Sequence, residues 1–490
     1  MKNLVISDKF EVIGLEARDR VGGRVFTDAG GNELGAAWIH GTKIDHPDGS
    51  VERNPVLTMA EEFIPVEDLH ATMNFFAVHS DGSALESDSS IWDNMWKVLN
   101  AIKTSEESKT HAFKESQTSI YDFISRNWQE LFSSVRGESE KAVLKSVIEW
   151  QSYYATNWEN TSVGSMAVDI EFEGDQLLIR NGGYTRILNH YLDNYGLRSH
   201  IFLNSPVTKI QSFPGQQTFV TTANGMIYTA DVVVVTVPLG VLKNDGIIFE
   251  PPLPQYKQDS IKKLGFGVYD KIFVTFAAPF EADNVENGFW PSGADVISIV
   301  PRTNDDYNEY LVTVLPHLAE RNPECINHVR RAYDDRDHEH IGIEMANISA
   351  VANEPKIVML IYERAARAME KFANDKQALI EFATTKLHNA FPNAFIPEII
   401  NAQATSWGND PYAYGSFANI PLGASGQDMI NLALPVDDKI LFAGEATFPL
   451  HYSTVHGALK SGRREYARLM AMFYPGHMNE FEDLLHDTTS

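Results

Sequence analysis

Phe10-Glu-Val-Ile-Gly-Leu-Glu-Ala-Arg-Asp-Arg-Val-Gly-Gly-Arg24 joins a short apolar run to an acidic residue and then to two adjacent glycines. The length of the run from Phe10 to Leu15, with its valine and isoleucine, predicts a buried strand. A strand that ends in an acid, here Glu16, and leads into a glycine-rich turn is typical of nucleotide binding. The carboxylate accepts ribose hydroxyls, the glycines admit phosphate to the backbone, and Arg24 could neutralise a pyrophosphate. The same residues could instead form a solvated turn with local ion pairs.

Further apolar runs predict buried strands in the middle and at the end of the chain. The strongest is Asp231-Val-Val-Val-Val-Thr-Val-Pro238, whose valines suit a strand covered on both faces. Lys439 to Ala443 is another, and Thr218 to Tyr228 has the alternation of a hairpin. Helical spacing predicts helices within 91–154, 363–390 and 457–474, whereas Pro421 to Asp438 is interpreted as a loop. This order predicts an α/β fold built from separated segments and interrupted by a second domain.

The composition argues against several classes of function. The 490 residues carry 40 basic and 66 acidic side chains, which gives a formal net charge of −26. Because sequence-independent nucleic-acid binding needs phosphate-neutralising Lys and Arg, no nucleic-acid partner is expected. The single cysteine, Cys325, permits no intrachain disulfide and no cysteine-based metal site, and a cytoplasmic location is expected. No apolar run reaches the roughly 20 residues that span a bilayer, so no membrane partner is expected either.

Six segments in a fixed order carry a resemblance to a known family. With Leu15 to Arg24, the chain is similar to the flavin-containing amine oxidases, and to their polyamine oxidases in particular. The other five segments are Gly35-Ala-Ala-Trp-Ile-His-Gly41, Asp231 to Leu242, Tyr269-Asp-Lys-Ile-Phe273, Trp407 with Gly415-Ser-Phe-Ala-Asn419, and a closing segment made of Phe442-Ala-Gly-Glu-Ala-Thr447 and Val455-His-Gly-Ala-Leu459 with Ser461-Gly462.

The resemblance implies a mixed α/β fold of two discontinuous domains. An FAD-binding domain with a Rossmann-like sheet would comprise residues 1–60, 180–250 and 435–490. A substrate-binding domain of sheet plus helices would comprise residues 61–179 and 251–434. FAD is the cofactor that this family implies, and no metal site is predicted.

The resemblance also implies a role for each matched cofactor position. Glu16 would hold the adenosine ribose, and Val207 would offer its backbone to the adenine. Glu445 would meet the ribityl or pyrophosphate region, and Val455 would lie beside the flavin ring. The positions implied along the pyrophosphate and ribityl chain are Arg18, Gly23 and Arg24.

Two polar residues and four other positions are the candidates for catalysis and substrate binding. Lys271 would hold a water near the flavin, and His40 could bind the substrate amine or relay a proton. Aromatic walls attract cationic nitrogens and lower local polarity, although aromatic residues are also ordinary core components. The substrate-binding candidates are Trp407, Phe417, Tyr452 and Thr454. Thr454 stands where many family members carry a second aromatic residue, so a complete aromatic sandwich is not expected.

One family segment has no counterpart in the chain. A strand, Gly-x-Gly-x-x-Gly and a helix normally open this kind of FAD domain, and no such fingerprint occurs here. The strand that ends at Glu16 would be the second of its sheet, and Met1 to Ser7 would be the end of the first helix. We therefore expect FAD to be held weakly or not at all.

The resemblance implies FAD-dependent oxidation of a small cationic amine, namely a polyamine such as spermine, spermidine or an acetylated form. Hydride would pass to the flavin and electrons to O2, giving hydrogen peroxide. Two alternatives stay open. One is a shortened, catalytically impaired protein that acts by binding, and the other is an amine oxidase of the histone lysine demethylase type.

Overall fold

A computed structural model of the chain describes residues 1–6, 9–71, 75–79, 89–133, 158–282, 288–290, 294–300 and 343–475. Its α-helices are, in chain order, α1 (Lys2–Ile6), α2 (Pro55–Glu61), α3 (Ser89–Thr104), α4 (Glu106–His111), α5 (Ile120–Arg126), α6 (Trp128–Leu131), α7 (Ser165–Val168), α8 (Gly183–Asn194), α9 (Leu239–Lys243), α10 (Gln255–Lys263), α11 (Ser349–Ala352), α12 (Glu363–Met369), α13 (Lys376–Ala390), α14 (Gly426–Ala433) and α15 (Val455–Phe473).

The strands are short, apart from those of one large sheet. They are β1 (Gly14–Leu15), β2 (Trp38–His40), β3 (Lys43–Asp45), β4 (Val51–Arg53), β5 (Leu69–Ala71), β6 (Phe75–His79), β7 (Gln176–Ile179), β8 (Ile201–Phe202), β9 (Val207–Gln211), β10 (Thr218–Thr222), β11 (Ile227–Ala230), β12 (Val233–Val235), β13 (Ile248–Glu250), β14 (Gly265–Gly267), β15 (Tyr269–Phe276), β16 (Val296–Val300), β17 (Ile343–Asn347), β18 (Lys356–Tyr362), β19 (Ile399–Ala404), β20 (Phe417–Asn419) and β21 (Ile440–Phe442).

The large sheet has six strands in the order β19-β15-β18-β17-β16-β6. Alternate side chains of β15 face opposite sides, as the two-residue period of a strand requires. Ile272 and Val274 enter a core that includes Ala383 and Leu387 of α13. Phe273 packs on the other side in a second apolar cluster. Because β15 has a core on both faces, the polar residues Asp270 and Lys271 on the same strand are forced into buried positions.

Two pairs of parallel strands form the sheet fragments nearest the predicted nucleotide site. β1 pairs with β8, and β12 pairs with β21. No hydrogen-bonded strand joins the two pairs within the described part of the chain. The predicted strand from Phe10 to Leu15 is therefore wrong in length, since only Gly14 and Leu15 pair with a neighbour. A strand without a continuous partner lacks the ladder that would extend it.

The strands of a four-stranded sheet, in the order β11-β10-β9-β13, fall between β8 and β21 in the sequence. The β10–β11 hairpin pairs Thr218 with Ala230 and Thr221 with Ile227, which confirms the predicted hairpin. The predicted long strand of Asp231 to Pro238 contracts to Val233–Val235. Pro238 follows as the N-cap residue of α9 and ends the extended run.

Most predicted helices are present, and one predicted loop is wrong. α13 and α15 confirm the helical patterns near the end of the chain, and α3 to α6 confirm the described part of the 91–154 segment. Pro421 to Asp438 was predicted as a loop but contains α14. Ser425 and Asp428 form a reciprocal capping box there, which satisfies the first amides of the helix. Residues 134–157 lie outside the described residues.

Two lysines cap the carboxyl ends of two neighbouring helices. Lys243, at the end of α9, caps α10, while Lys257, within α10, caps α14. The carbonyl acceptors are those of Ile261, Lys262 and Leu264 for Lys243, and of Asn431, Leu432 and Leu434 for Lys257. Burial lowers the pKa of Lys257 to about 7. These ammonium groups bind the last carbonyls of helices, where the helix dipole favours positive charge.

The division into FAD-binding and substrate-binding domains at the predicted boundaries stays a prediction. Among the described residues, no helix has both the length and the apolar character needed to cross a bilayer. The same residues contain no group of three or more candidate metal-binding side chains.

Candidate functional site

Glu16 lies directly at the end of β1. Its backbone amide donates to the carbonyl of Phe202, and its own carbonyl accepts the amide of Ser205, 2.8 Å away. The Glu16 carboxylate accepts the amide of Arg18 at 2.8 Å. These bonds fix the acid at the strand end and bring it near Val207, which begins β9 two residues after Ser205. Both residues keep their predicted cofactor roles as predictions.

Two glycines leave room for a ligand to approach the backbone. Gly23 has a φ of 58° and Gly444 a φ of 128°, conformations that residues with a side chain rarely adopt. A Cβ atom built at either position meets no protein atom within 4 Å. The open space beside both glycines is suited to a ligand that makes close backbone contacts.

Arg24 connects these two glycine segments. Its Nη1 atom lies 2.9 Å from Glu445 Oε1 and donates to the carbonyl of Ser416 at 2.6 Å. Glu445 is buried, and its other carboxylate oxygen accepts the amide of Ser453 at 2.9 Å. A cleft beyond the carboxyl ends of β12 and β21 is lined by Arg24, Gly444 and Glu445 among others. Ligands of open α/β sheets bind at this end of the strands.

These features fit the diphosphate and ribityl parts of FAD. An arginine supplies positive charge, two glycines expose backbone, and the strand-end Glu16 has the chemistry to accept ribose hydroxyls. Arg24, Gly23, Glu16 and Glu445 are therefore the residues that would hold the cofactor.

Arg18 makes a different contact from the one that the sequence analysis anticipated. Its two Nη atoms donate to the two carboxylate oxygens of Asp410, at 2.8 and 2.9 Å. Its guanidinium also lies 5.5 Å from the ring centre of Tyr412 and 6.0 Å from that of Trp407. Arg18 thus attaches the cofactor turn to the loop that carries Trp407, and its contact with pyrophosphate stays a prediction.

Lys271 is buried against the segment from Glu33 to Gly35. Its Nζ donates to the carbonyls of Glu33 and Gly35, at 2.8 and 2.5 Å. Burial lowers the pKa of Lys271, and the nearby Glu33 carboxylate partly offsets that effect. Burial likewise raises the pKa of Glu33, although this carboxylate accepts bonds from Tyr184 and Thr27. Lys271 therefore keeps one N–H for a further partner.

Trp407 is fixed on the same segment as Lys271. Its indole Nε1 donates to the carbonyl of Leu34 at 2.9 Å, and its backbone amide donates to Asp270 at 3.0 Å. The side chain of Trp407 is buried. Lys271 and Trp407 are 136 positions apart in the sequence, yet both donate hydrogen bonds to backbone carbonyls of residues 33–35. The fold therefore brings these two predicted site residues together.

His40 ends β2 and is accessible to solvent. Its Nδ1 lies 2.7 Å from Gln176 Oε1 on the adjacent strand β7. Because a carbonyl-type oxygen can only accept, this pairing assigns the proton to Nδ1 and leaves Nε2 as an acceptor. Enough protein surrounds the ring that burial lowers the pKa of His40, with Gln176 and Glu171 opposing the effect. The lowered pKa favours the neutral form of the imidazole.

The other three substrate candidates differ in surroundings. Phe417 lies on β20 with its ring centre 5.8 Å from that of Tyr269. Burial raises the pKa of Tyr452, and the carboxylates of Asp169 and Glu171 raise it further. The Thr454 hydroxyl is occupied in capping α15, since it accepts the amide of Gly457 and donates to the carbonyl of His451.

Val455 is the first residue of α15 and packs partly into the apolar cluster that contains Ile39 and Leu57. This location connects the helix start with β2, the strand that ends in His40. The role of Val455 beside a flavin ring stays a prediction.

The sequence analysis missed an acidic pair beside Tyr452. Asp169 and Glu171 belong to the alternating run Asp169-Ile-Glu-Phe-Glu-Gly-Asp175, which was the available signal. Burial, and then Glu171, raise the pKa of Asp169 to about 8. A cation bound here would favour the ionised carboxylate.

The fold matches solved structures of amine oxidases. A structure of wild-type putrescine oxidase bound to putrescine aligns over 96% of this chain and 95% of its own, with a TM-score of 0.64 and 16% identity. This likeness confirms the predicted mixed α/β class, a two-domain FAD amine oxidase fold.

The family follows from the sequence comparison. The profile of the flavin-containing amine oxidoreductases matches residues 6–470, and the chain belongs to that family. Polyamine oxidase 2 of Arabidopsis thaliana is 26% identical over 97% of this chain and 87% of its own length. Lysine-specific histone demethylase 1 homologs 3 and 2 of Arabidopsis thaliana are 26% and 25% identical, over 96% and 95% of this chain. The chain spans only 29% and 56% of the lengths of these two relatives.

Proposed function

We propose that this chain is an FAD-dependent oxidase of small cationic amines, with polyamines as its substrate class and O2 as its electron acceptor. When bound, FAD supplies a hydride acceptor for the carbon beside an amine nitrogen. The observation that carries the proposal is the Arg24–Glu445 pair, which unites two distant cofactor segments of this family. Polyamine oxidases among the relatives support the substrate class. A cytoplasmic location, without nucleic-acid or membrane partners, belongs to the same proposal.

Aromatic and acidic groups would select a cationic substrate. Trp407, Phe417 and Tyr452 offer aromatic faces, which attract ammonium groups. Asp169 and Glu171 flank Ile170, whose amide donates to the carbonyl of Leu450 and whose carbonyl lies 2.8 Å from His451 Nδ1, so the two acids lie beside the segment of Tyr452. We assign them to a second substrate nitrogen. The formal charge of −26 adds a long-range attraction for cations.

Two residues would contact the reacting amine or a water molecule beside it and so favour the neutral amine. An amine must be neutral to lose a hydride from the neighbouring carbon. His40 Nε2 can accept an N–H of the amine, because Nδ1 is paired with Gln176. Lys271 uses two N–H groups on the carbonyls of Glu33 and Gly35 and can orient a water with the third.

Product analysis tests the proposal directly. The purified chain, supplied with FAD, is incubated with spermine, spermidine, their acetylated forms and a histone-tail peptide methylated on lysine. We expect hydrogen peroxide and shortened polyamines, and no peroxide from the peptide. Peroxide formation with the methylated peptide alone would favour the demethylase-like alternative. Asp259→Asn, an exposed change on α10, is the matched surface control.

A binding protein with impaired flavin affinity is the second candidate. It is favoured by the two parallel strand pairs, β1–β8 and β12–β21, which no described strand connects. A close backbone hydrogen bond to a charged phosphate contributes about 1.5–3 kcal/mol, so a site with fewer such bonds binds flavin less tightly. Flavin absorbance is compared between the chain as it stands and a form with a strand–Gly-x-Gly-x-x-Gly–helix segment added before Lys2. Stoichiometric flavin in the unextended chain would remove this candidate.

A further inference from the structure

Asp270 is a completely buried acid that holds the start of the Trp407 loop. Its Oδ1 atom accepts the hydroxyl of Thr405 at 2.6 Å and the backbone amide of Trp407 at 3.0 Å. The Thr405 hydroxyl in turn accepts the amide of Lys271 at 2.9 Å. The Oδ2 atom of Asp270 is buried, and no hydrogen-bond donor among the described residues reaches it. A buried carboxylate oxygen in this state is costly unless a proton reaches it.

Glu370 approaches Asp270 from the end of α12 and holds the next part of the same loop. The Oε1 atom of Glu370 accepts the amide of Gly408 at 2.5 Å and that of Asn409 at 3.2 Å. Because Asp270 and Glu370 accept the amides of the adjacent residues Trp407 and Gly408, their carboxyl groups are brought close together, and Asp270 Oδ2 is a buried oxygen without a donor of its own among the described residues. Because two carboxylates repel, a hydrogen bond between them requires one proton.

The charged groups around this pair have partners of their own. Lys271 points to the opposite face of β15 and binds the Glu33 segment. Arg18 is paired with Asp410. Glu363, at the start of α12, accepts the amide of Val268 and lies 4.0 Å from Arg367. Burial, and then Glu370, raise the pKa of Asp270 well above its usual range.

We propose that Asp270 and Glu370 share one proton and thereby act as positioning residues that hold the 405–409 loop and the indole of Trp407. Together the two carboxyl groups accept three consecutive amides, those of Trp407, Gly408 and Asn409. The loop then presents the Trp407 indole to the carbonyl of Leu34. When the shared proton is lost at high pH, the two carboxylates repel and the loop loosens. The link to substrate rests on the proposed function, whereas the link to the loop does not.

Amide hydrogen exchange of the full chain without flavin tests the shared proton. Exchange at Trp407 and Gly408 is measured from about pH 6 to about pH 9 and corrected for the intrinsic rate. We expect protection to fall by about ten-fold or more in the wild type, since one pKa unit corresponds to a factor of ten. Asp270→Asn and Glu370→Gln each replace the shared proton with an amide N–H, so their protection should stay high and independent of pH. Asp259→Asn should behave as the wild type.

Two outcomes would overturn the proposal. One is wild-type protection that does not change over this pH range, and the other is an Asp270→Asn chain that keeps the wild-type pH dependence. Circular dichroism establishes whether each variant is folded. If a variant does not fold, the pH dependence of exchange in the wild type alone decides whether the proton is shared. In flavin-loaded protein, KM for the amine should rise at high pH in the wild type more than in Glu370→Gln. The exchange measurement does not require catalytic activity. Failure of the proposed function can therefore be distinguished from failure of the shared-proton proposal.

Discussion

Arg24 and Glu445 are 421 positions apart in the sequence, and their side chains form an ion pair 2.9 Å long. Arg24 follows the glycine turn after β1, while Glu445 follows β21. The pair therefore joins two sheet fragments that no described strand connects. Its two side chains are 21% and 6% exposed, so neither is freely solvated.

Replacing Arg24 with methionine should weaken both the fold and flavin binding. The variant leaves Glu445 without its cation, and a charged hydrogen bond of this kind contributes about 1.5–3 kcal/mol. We expect the free energy of unfolding in urea to fall by about that amount. Arg53→Met is the control, since its pair with Glu61 is exposed and should contribute under about 1 kcal/mol. Equal effects of the two changes would contradict the structural role of the Arg24–Glu445 pair.

Lys271→Met should slow flavin reduction or reoxidation about ten-fold or more while the cofactor stays bound. Removal of one positioned polar group from an active site commonly costs about 10²–10³ in rate. Stopped-flow absorbance of flavin-loaded protein measures both half-reactions. Lys376→Met is the control, because that lysine is exposed at the start of α13 and lies outside the site. Unchanged stopped-flow traces for Lys271→Met would contradict the proposed role of Lys271 beside the flavin.

Acid should destabilise the fold through two buried histidines. Burial lowers the pKa of His451 to about 3 and that of His456 to about 2, from an ordinary 6.5. Below about pH 6.5 the unfolded chain therefore binds more protons, so stability is complete above that pH and is lost as pH falls. The slope is up to about 1.4 kcal/mol per pH unit for each histidine. Urea unfolding between about pH 7.5 and pH 5 should show a shallower dependence in His456→Asn, while the exposed change His388→Gln should leave it unaltered.

Polyamine affinity should decrease with salt and depend on the acidic pair. Screening weakens attraction between the amine and Asp169 or Glu171. We expect Asp169→Asn combined with Glu171→Gln to raise KM about ten-fold and to reduce its dependence on salt. Asp175→Asn, an exposed change on the same run, is the control. Because the pKa of Asp169 is about 8, its ionised fraction grows as pH rises toward that value, and its contribution should grow with it. A salt-independent KM for a polyamine would contradict this role.

Local sequence patterns predicted those elements that depend mainly on local chemistry. The β10–β11 hairpin has alternating residues and a short turn, and α15 has an apolar stripe, so neither needs distant information. α14 was missed although its Ser425–Asp428 capping box was visible, because prolines and glycines nearby suggested a loop. β1 was predicted too long, because pairing with β8 on one side limits it to two residues.

The sequence indicated candidate site residues one by one, but it did not indicate how they are arranged. Motif resemblance selected Lys271 and Trp407, yet no pattern indicated that both bind the backbone of residues 33–35. The Arg18–Asp410 pair and the Asp270–Glu370 pair join residues that are far apart in the sequence, and only tertiary structure brings such charges together. Burial raises the pKa of Asp270, an effect of the surroundings that residue type alone does not indicate.

The lysine caps of α10 and α14 make three helices dependent on one another. Lys243 of α9 stabilises the end of α10, and Lys257 of α10 stabilises the end of α14. Each cap is supplied by a different helix, so separation of α10 from its neighbours removes both caps at once. We expect α9, α10 and α14 to open as one cooperative unit, rather than by fraying of their individual ends. The turn that begins at Glu445 packs against α14, so we expect this unit to set how often the cleft lined by Arg24 and Glu445 opens to solvent.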